Sequence, residues 1–240
     1  MPQSNPKPSD LDPNYKSLHK IGGVAALIFL GYSLVAMILL MTVGGQPQTA
    51  EEGFKMLHDN KVVGLLRLDA LTLLVMPLYY LLFLGLYTAL KKTHAAPAVV
   101  ATALGFAGVT LVLATPSVFS WLTLSDKFAA ATSEAQKTLF LAAGEAVLAS
   151  DTWHGTGALM GGLLLQAGAL LISAIMLRSS AFGKLTAWVG VVTHGLDLLR
   201  MLVGFFFATG GIILMAIAGP LYLLWFPLLA RDFIRLGRGS

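Results

Sequence analysis

Apolar residues run along this chain in stretches longer than a soluble core uses, and short polar segments separate them. Six such stretches stand out, near residues 21–43, 62–90, 98–124, 153–177, 185–207 and 212–230. A helix needs about 20 apolar residues to cross a bilayer. The pattern therefore predicts an all-α integral membrane protein, a six-transmembrane-helix bundle over residues 21–230. Residues 1–20 are polar, with Pro2, Pro6, Pro8 and Pro13. They read as a disordered cytoplasmic tail, and residues 231–240 read as a basic cytoplasmic tail. The first stretch exceeds the apolar core of a cleavable signal, so it reads as an uncleaved helix. Between the last two stretches stands Ala208-Thr209-Gly210-Gly211, a breaker so short that it predicts an antiparallel hairpin.

Two longer connections have structure of their own. Residues 49–60 place Phe54, Met56 and Leu57 among Glu51, Glu52, Lys55 and Asp59. Residues 134–150 follow Ser133, and Gln136 three places on completes a capping-box start. Each segment is amphipathic and too short to cross, so both are expected as interfacial amphipathic helices on the outer face.

Composition agrees with the pattern. Charged residues make up 12% of the chain and the mean hydropathy is +0.77, whereas a soluble domain is about 25% charged. A net charge of +4 on so few charges excludes a nucleic-acid partner. With no cysteine there is no disulfide, thiolate metal site or Cys nucleophile. Lys7, Lys16, Lys20, Lys91, Lys92, Arg178, Lys184, Arg231, Arg235 and Arg238 fall on one side of the six-span topology. Only Lys55, Lys61, Lys127 and Lys137 fall on the other. Basic residues mark the cytoplasmic side, which puts both termini in the cytoplasm. Lys91, Lys92 and the C-terminal arginines read as topology determinants that meet anionic lipid heads.

Three segments carry a resemblance. They are Gly219-Pro220-Leu221-Tyr222-Leu223-Leu224-Trp225-Phe226 running into Arg231, the junction Leu177-Arg178-Ser179 followed by Leu185, Trp188 and Gly190, and Asp69 ahead of an apolar stretch ending in Leu86-Tyr87. Together they resemble domain-of-unknown-function family 4386, small multi-spanning bacterial membrane proteins, over the second to sixth spans. The chain departs from the family at Gly183-Lys184, where a Pro often precedes the fifth span. The resemblance implies the fold and a bacterial inner (plasma) membrane location, and it implies no mechanism.

Candidate chemistry lies in the polar residues within the spans, because a charge at the bilayer centre costs about 2.5–3.5 kcal/mol. Arg67 and Asp69 stand on the second span, Asp197 and Arg200 on the fifth. Asp69 would share a face with Thr72, Tyr80 and Tyr87. Counted along straight helices, Asp69 and Arg200 both lie roughly 10 Å below the outer surface, so they are expected to pair. Asp197, one turn from Arg200, is the rival partner. Arg67 points away from Asp69 and is expected to snorkel or to reach an outer acid such as Glu145. His194, Asp197 and Arg200 fan across one helix face at steps of three, with His194 titratable near neutrality.

The candidate ligand-binding set is thus Asp69, Thr72, Tyr80, His194, Asp197 and Arg200. No metal site or cofactor is expected, since His154 at the surface and His194 at depth are too far apart to share zinc. Asp151 reads as the N-cap of the fourth span. Gly157 and Gly161 have small-xxx-small spacing, which serves close packing first and a homodimer second. Pro77, Pro116, Pro220 and Pro227 are expected to kink their spans.

No nucleotide loop, nucleophile elbow or paired-His protease motif is present. The leading expectation is a non-enzymatic bundle that binds or passes a small-molecule or lipid ligand through an outward-facing polar pocket. The alternatives are a membrane-embedded acid–base or metal-dependent lipid hydrolase and a structural, partner-binding membrane protein. Two measurements check these expectations. Reporter fusions at residue 240 and within residues 125–136 should lie in opposite compartments; a shared compartment overturns the six-span topology. Asp69→Asn and Arg200→Gln should each destabilise the protein, and the double substitution should recover part of the loss. Additive damage would rule the pair out.

Overall fold

The computed structural model describes residues 13–115, 117–151 and 155–238. A short 3-10 turn, Pro13–Tyr15, precedes eleven helices among the described residues. These are α1 (Lys16–Thr42), α2 (Ala50–Asp59), α3 (Lys61–Arg67), α4 (Ala70–Val75), α5 (Leu78–Leu90), α6 (Ala95–Ala114), α7 (Val118–Ala129), α8 (Glu134–Ser150), α9 (Thr156–Met176), α10 (Lys184–Phe206) and α11 (Ala208–Arg238). No strand occurs among the described residues. Five segments are long and apolar enough to cross a membrane: α1, the stretch Ala95–Ala129, α9, α10 and α11. The chain divides into two compact units, one of residues 1–34, 77–110 and 161–240, the other of residues 35–76 and 111–160.

In the first unit α10 and α11 form the expected hairpin, with a different turn. Phe207 alone separates the two helices, and residues 208–211 begin α11 instead of linking it. The glycines of that segment permit close approach: a Cβ on Gly211 would meet the Gly204 Cα at 2.8 Å. Pro220 and Pro227 lie inside α11 without ending it; Pro116 lies outside the described residues. Two expected tails are also helical where described. Helix α1 starts at Lys16 and buries His19, whose Nε2 lies 3.2 Å from the Thr88 hydroxyl. Helix α11 continues to Arg238 and buries Asp232, Phe233 and Leu236. Helices α6 and α9 cross closely, and a Cβ on Gly108 would meet the Gly161 carbonyl oxygen at 2.7 Å. Gly161 is therefore engaged inside its own chain, which is the packing use expected of it.

The second unit has a core of its own. Phe54 and Leu57 on α2, Val118 and Trp121 on α7, and Leu148 on α8 are buried together. The Phe54 ring meets Trp121 edge-on at 5.7 Å and Phe128 at 5.3 Å. Removing an aromatic side chain from such a core costs about 3–5 kcal/mol. The apolar faces of residues 49–60 and 134–150 thus pack on protein. Leu65, Leu68, Ala70 and Leu73 join the same core, which explains the largest departure from the expected spans. Residues 62–90 are not one helix. They break at Asp69, which takes left-handed backbone (φ 55°), and again at Pro77, which precedes α5. Asp is one of the few residues that tolerates that conformation.

Helix α2 is capped from three directions. Thr49 Oγ1 accepts from the Glu52 N–H at 3.1 Å, Glu52 accepts from the Gln48 N–H at 2.8 Å, and Glu145 of α8 accepts from the Ala50 N–H at 2.7 Å. Helix α8 opens similarly, with Ser133 Oγ accepting from Gln136 N–H at 3.3 Å and Gln136 from Thr132 N–H at 3.0 Å. Arg67 reaches an acid as expected, but the acid is Glu52, at 2.9 Å; its Nε donates to the Gly45 carbonyl at 2.7 Å. Glu145 is occupied as a cap. Asp151 closes α8 through its N–H to the Leu148 carbonyl at 3.4 Å, and its own carbonyl accepts from the Gly155 N–H at 2.8 Å; the residues it is expected to cap, 152–154, lie outside the described residues. Trp153 and His154 lie outside the described residues.

The Gln48 N–H, and then Arg67, hold the Glu52 carboxyl below its ordinary value of 4.5. A depressed carboxyl stabilises the fold above the unfolded pKa, and that contribution is lost as pH falls through the folded value. Thermal stability of the intact protein should fall as pH drops from about 4.5. Glu52→Gln should be less stable at neutral pH and show a shallower acid dependence. Parallel pH profiles for the two proteins would refute this role.

Candidate functional site

The polar residues of α10 come together with partners on α9 and α11. Arg200 Nε donates to Asp197 Oδ1 at 2.5 Å, so the rival partner named from sequence holds Arg200 in the structure. The other carboxylate oxygen, Oδ2, accepts from Gln166 Nε2 at 2.8 Å and from the Tyr222 hydroxyl at 3.0 Å. Gln166 Nε2 also lies 3.0 Å from the Tyr222 oxygen. Asp197, Gln166 and Tyr222 thus form a closed ring, with Arg200 on its outer edge. The side chains of Asp197 and Arg200 are 13% and 24% exposed, while Gln166 and His194 are buried.

This ring determines how His194 is presented. An ionised carboxylate only accepts hydrogen bonds, so the Gln166 end facing Asp197 must be its NH2. The amide oxygen then points to His194 Nδ1, at 2.7 Å. A neutral imidazole facing a carbonyl oxygen must donate, which puts its proton on Nδ1 and leaves a bare lone pair on Nε2. Nε2 is buried and has no hydrogen-bond partner among the described residues. The same is true of the indole Nε1 of Trp225, whose ring packs edge-on against His194 at 4.4 Å. Gly190 makes room for that indole, since a Cβ there would lie 2.7 Å from Trp225 Nε1.

Of the six candidates, His194, Asp197 and Arg200 share this network. Tyr80 does not; its hydroxyl lies 2.8 Å from the Thr110 hydroxyl. Thr72 donates to Asp69 Oδ2 at 2.5 Å, and both belong to the other unit. The shared stripe of Asp69, Thr72, Tyr80 and Tyr87 presumed one continuous helix, and the breaks at Asp69 and Pro77 remove it. The same breaks remove the straight-helix depth count that placed Asp69 level with Arg200.

Sequence reasoning missed the central place of Gln166, and it missed Tyr222 and Trp225. Their signal was one-turn spacing on the last span. It also missed Asp232, a fully buried carboxylate. Asp232 Oδ2 accepts from the Gly183 N–H at 2.8 Å and the Thr186 hydroxyl at 2.6 Å, capping α10. Its Oδ1 faces Arg231 at 3.2 Å. Among the described residues no three of His, Asp and Glu gather as metal ligands would. The chain matches no protein-family model, no curated protein and no solved structure.

Proposed function

We propose that this chain is a multi-pass protein of the bacterial inner membrane that binds a small or lipidic ligand beside His194. In this reading it makes six crossings, with the broken stretch 62–90 supplying one, and both termini are cytoplasmic. Helices α2 and α8 form the outer interfacial layer. Membrane residence is supported by the five long apolar segments and by what they expose. Helix α1 presents Val24, Ile38 and Leu40 outward, and α10 and α11 present Leu202, Ile212 and Leu224, each at least half exposed. Water-facing proteins rarely carry apolar faces on this scale.

The ligand reading is carried by one observation: His194 and Trp225, whose rings pack edge-on at 4.4 Å, each bury a ring nitrogen that has no partner among the described residues. A buried polar atom without a partner costs about 1–3 kcal/mol. A hydroxyl can donate to the imidazole lone pair and accept from the indole, so a hydroxyl-bearing amphiphile fits both. Arg200 and Asp197 then form the polar rim. The closed ring of Asp197, Gln166 and Tyr222 favours a second reading, a polar latch that only locks helix packing.

Thermal denaturation of the detergent-solubilised full chain separates the two. Glycerol monooleate should raise the Tm by several degrees, and methyl oleate, which lacks the hydroxyls, should not. His194→Phe should fold and lose the response. Equal shifts from the two amphiphiles, no shift, or a response kept by His194→Phe would leave only the latch.

A further inference from the structure

A groove of about 450 Å³ lies between α1 and the C-terminal part of α11, lined by Leu27, Pro227, Ala230, Ile234, Arg231, Arg235 and Arg238. From the geometry of this groove we infer a binding site for one anionic glycerophospholipid, its phosphodiester held by the arginines and its acyl chain lying against Leu27 and Pro227. The inference rests on the membrane reading above and is independent of the His194 site.

Three features argue for that occupant. The first is spacing. Arg231, Arg235 and Arg238 stand four and three residues apart, which puts them on one face of α11. The second is charge. Asp232 is the one carboxylate paired with these arginines among the described residues, and its Oδ2 is already occupied by Gly183 and Thr186. Three guanidinium groups against one carboxylate leave two positive charges over. Arg235 Nη2 donates to the Ala181 carbonyl at 2.7 Å, while its Nε is buried with no partner. Arg238 has no ion-pair partner among the described residues. Lys20 adds a cation at the same end, since its stem lies where a Cβ on Gly237 would fall.

The third feature is the order of polarity along the groove. Leu27 and Pro227 mark its apolar end and Arg238 its cationic end, eleven residues of helix or roughly 16 Å apart. An anion in water needs only the cations. A lipid needs a cationic end continuous with an apolar wall, and this groove has both. Planar guanidinium groups suit the paired oxygens of a phosphodiester.

The test uses the full chain in detergent with equal amounts of phosphatidylglycerol and phosphatidylcholine of matched acyl chains, read by native mass spectrometry. The wild type should retain one phosphatidylglycerol in preference to phosphatidylcholine. Arg238→Gln, which touches no ion pair among the described residues, should keep the wild-type Tm and weaken that preference about fivefold. Arg235→Gln should weaken it at least as much, and a Tm control shows whether the Asp232 cluster survives. Equal retention of the two lipids, or an Arg238→Gln protein with unchanged preference, overturns the site. Full displacement by millimolar inorganic phosphate would show a simple anion site and overturn the lipid assignment. If the chain proved soluble without detergent, the membrane reading itself would fail; detergent dependence without lipid preference would defeat this inference alone.

Discussion

The arrangement of the polar site depends on the register of the α10–α11 hairpin, and that register is held from both ends. At one end Asp232 binds the N–H of Gly183 and the hydroxyl of Thr186. At the other, Gly204 and Gly211 pass within contact of each other. Between these ends Trp225 falls opposite Gly190 and His194, and Tyr222 falls opposite Asp197. A shift of one residue along the helix is about 1.5 Å with a rotation of roughly 100°. It would break the Asp232 cap and the Tyr222–Asp197 bond together. Asp232 does this from within a stretch that otherwise reads as basic, and burial makes its partners obligatory, because a buried carboxylate left uncompensated costs several kcal/mol.

The same physical device recurs in the other unit. The first N–H groups of a helix have no partner within it and attract negative charge. Asp232 serves α10 from a neighbouring helix, and Glu145 serves α2 in the same way. Glu52 and Gln136 reach back one residue beyond their capping positions, to the N–H groups of Gln48 and Thr132. Acidic side chains are scarce in this chain, and three of them, Asp232, Glu145 and Glu52, are used to close helix ends. Asp197 is different, since its donors are the side chains of Arg200, Gln166 and Tyr222, well inside α10, α9 and α11. That distinction sets the Asp197 network apart as the candidate site.

Much of the fold was legible in the chain, and so was half of the site. Long apolar stretches specified helices because the signal is local: length and hydropathy at 21–43 or 185–207 need no neighbour to be read. Steps of three put His194, Asp197 and Arg200 on one face for the same reason. The stretch 62–90 misled because its apolar residues serve two purposes that composition does not separate. Leu65, Leu68 and Leu73 bury against protein, while Leu82 and Leu86 bury in a different unit.

What the sequence by itself determined is the all-helical character, the short hairpin between the last two long segments, and the capped starts of α2 and α8. Each follows from residues within a few positions of one another. Only the tertiary structure decided which polar groups meet. Gln166, Asp197 and Tyr222 lie 25 to 56 residues apart in the chain, and the partners of Asp232 lie 46 to 49 away. Hydrogen bonds act over about 3 Å, so their pairing depends on the axial register and rotation of packed helices, which no local pattern of residues encodes.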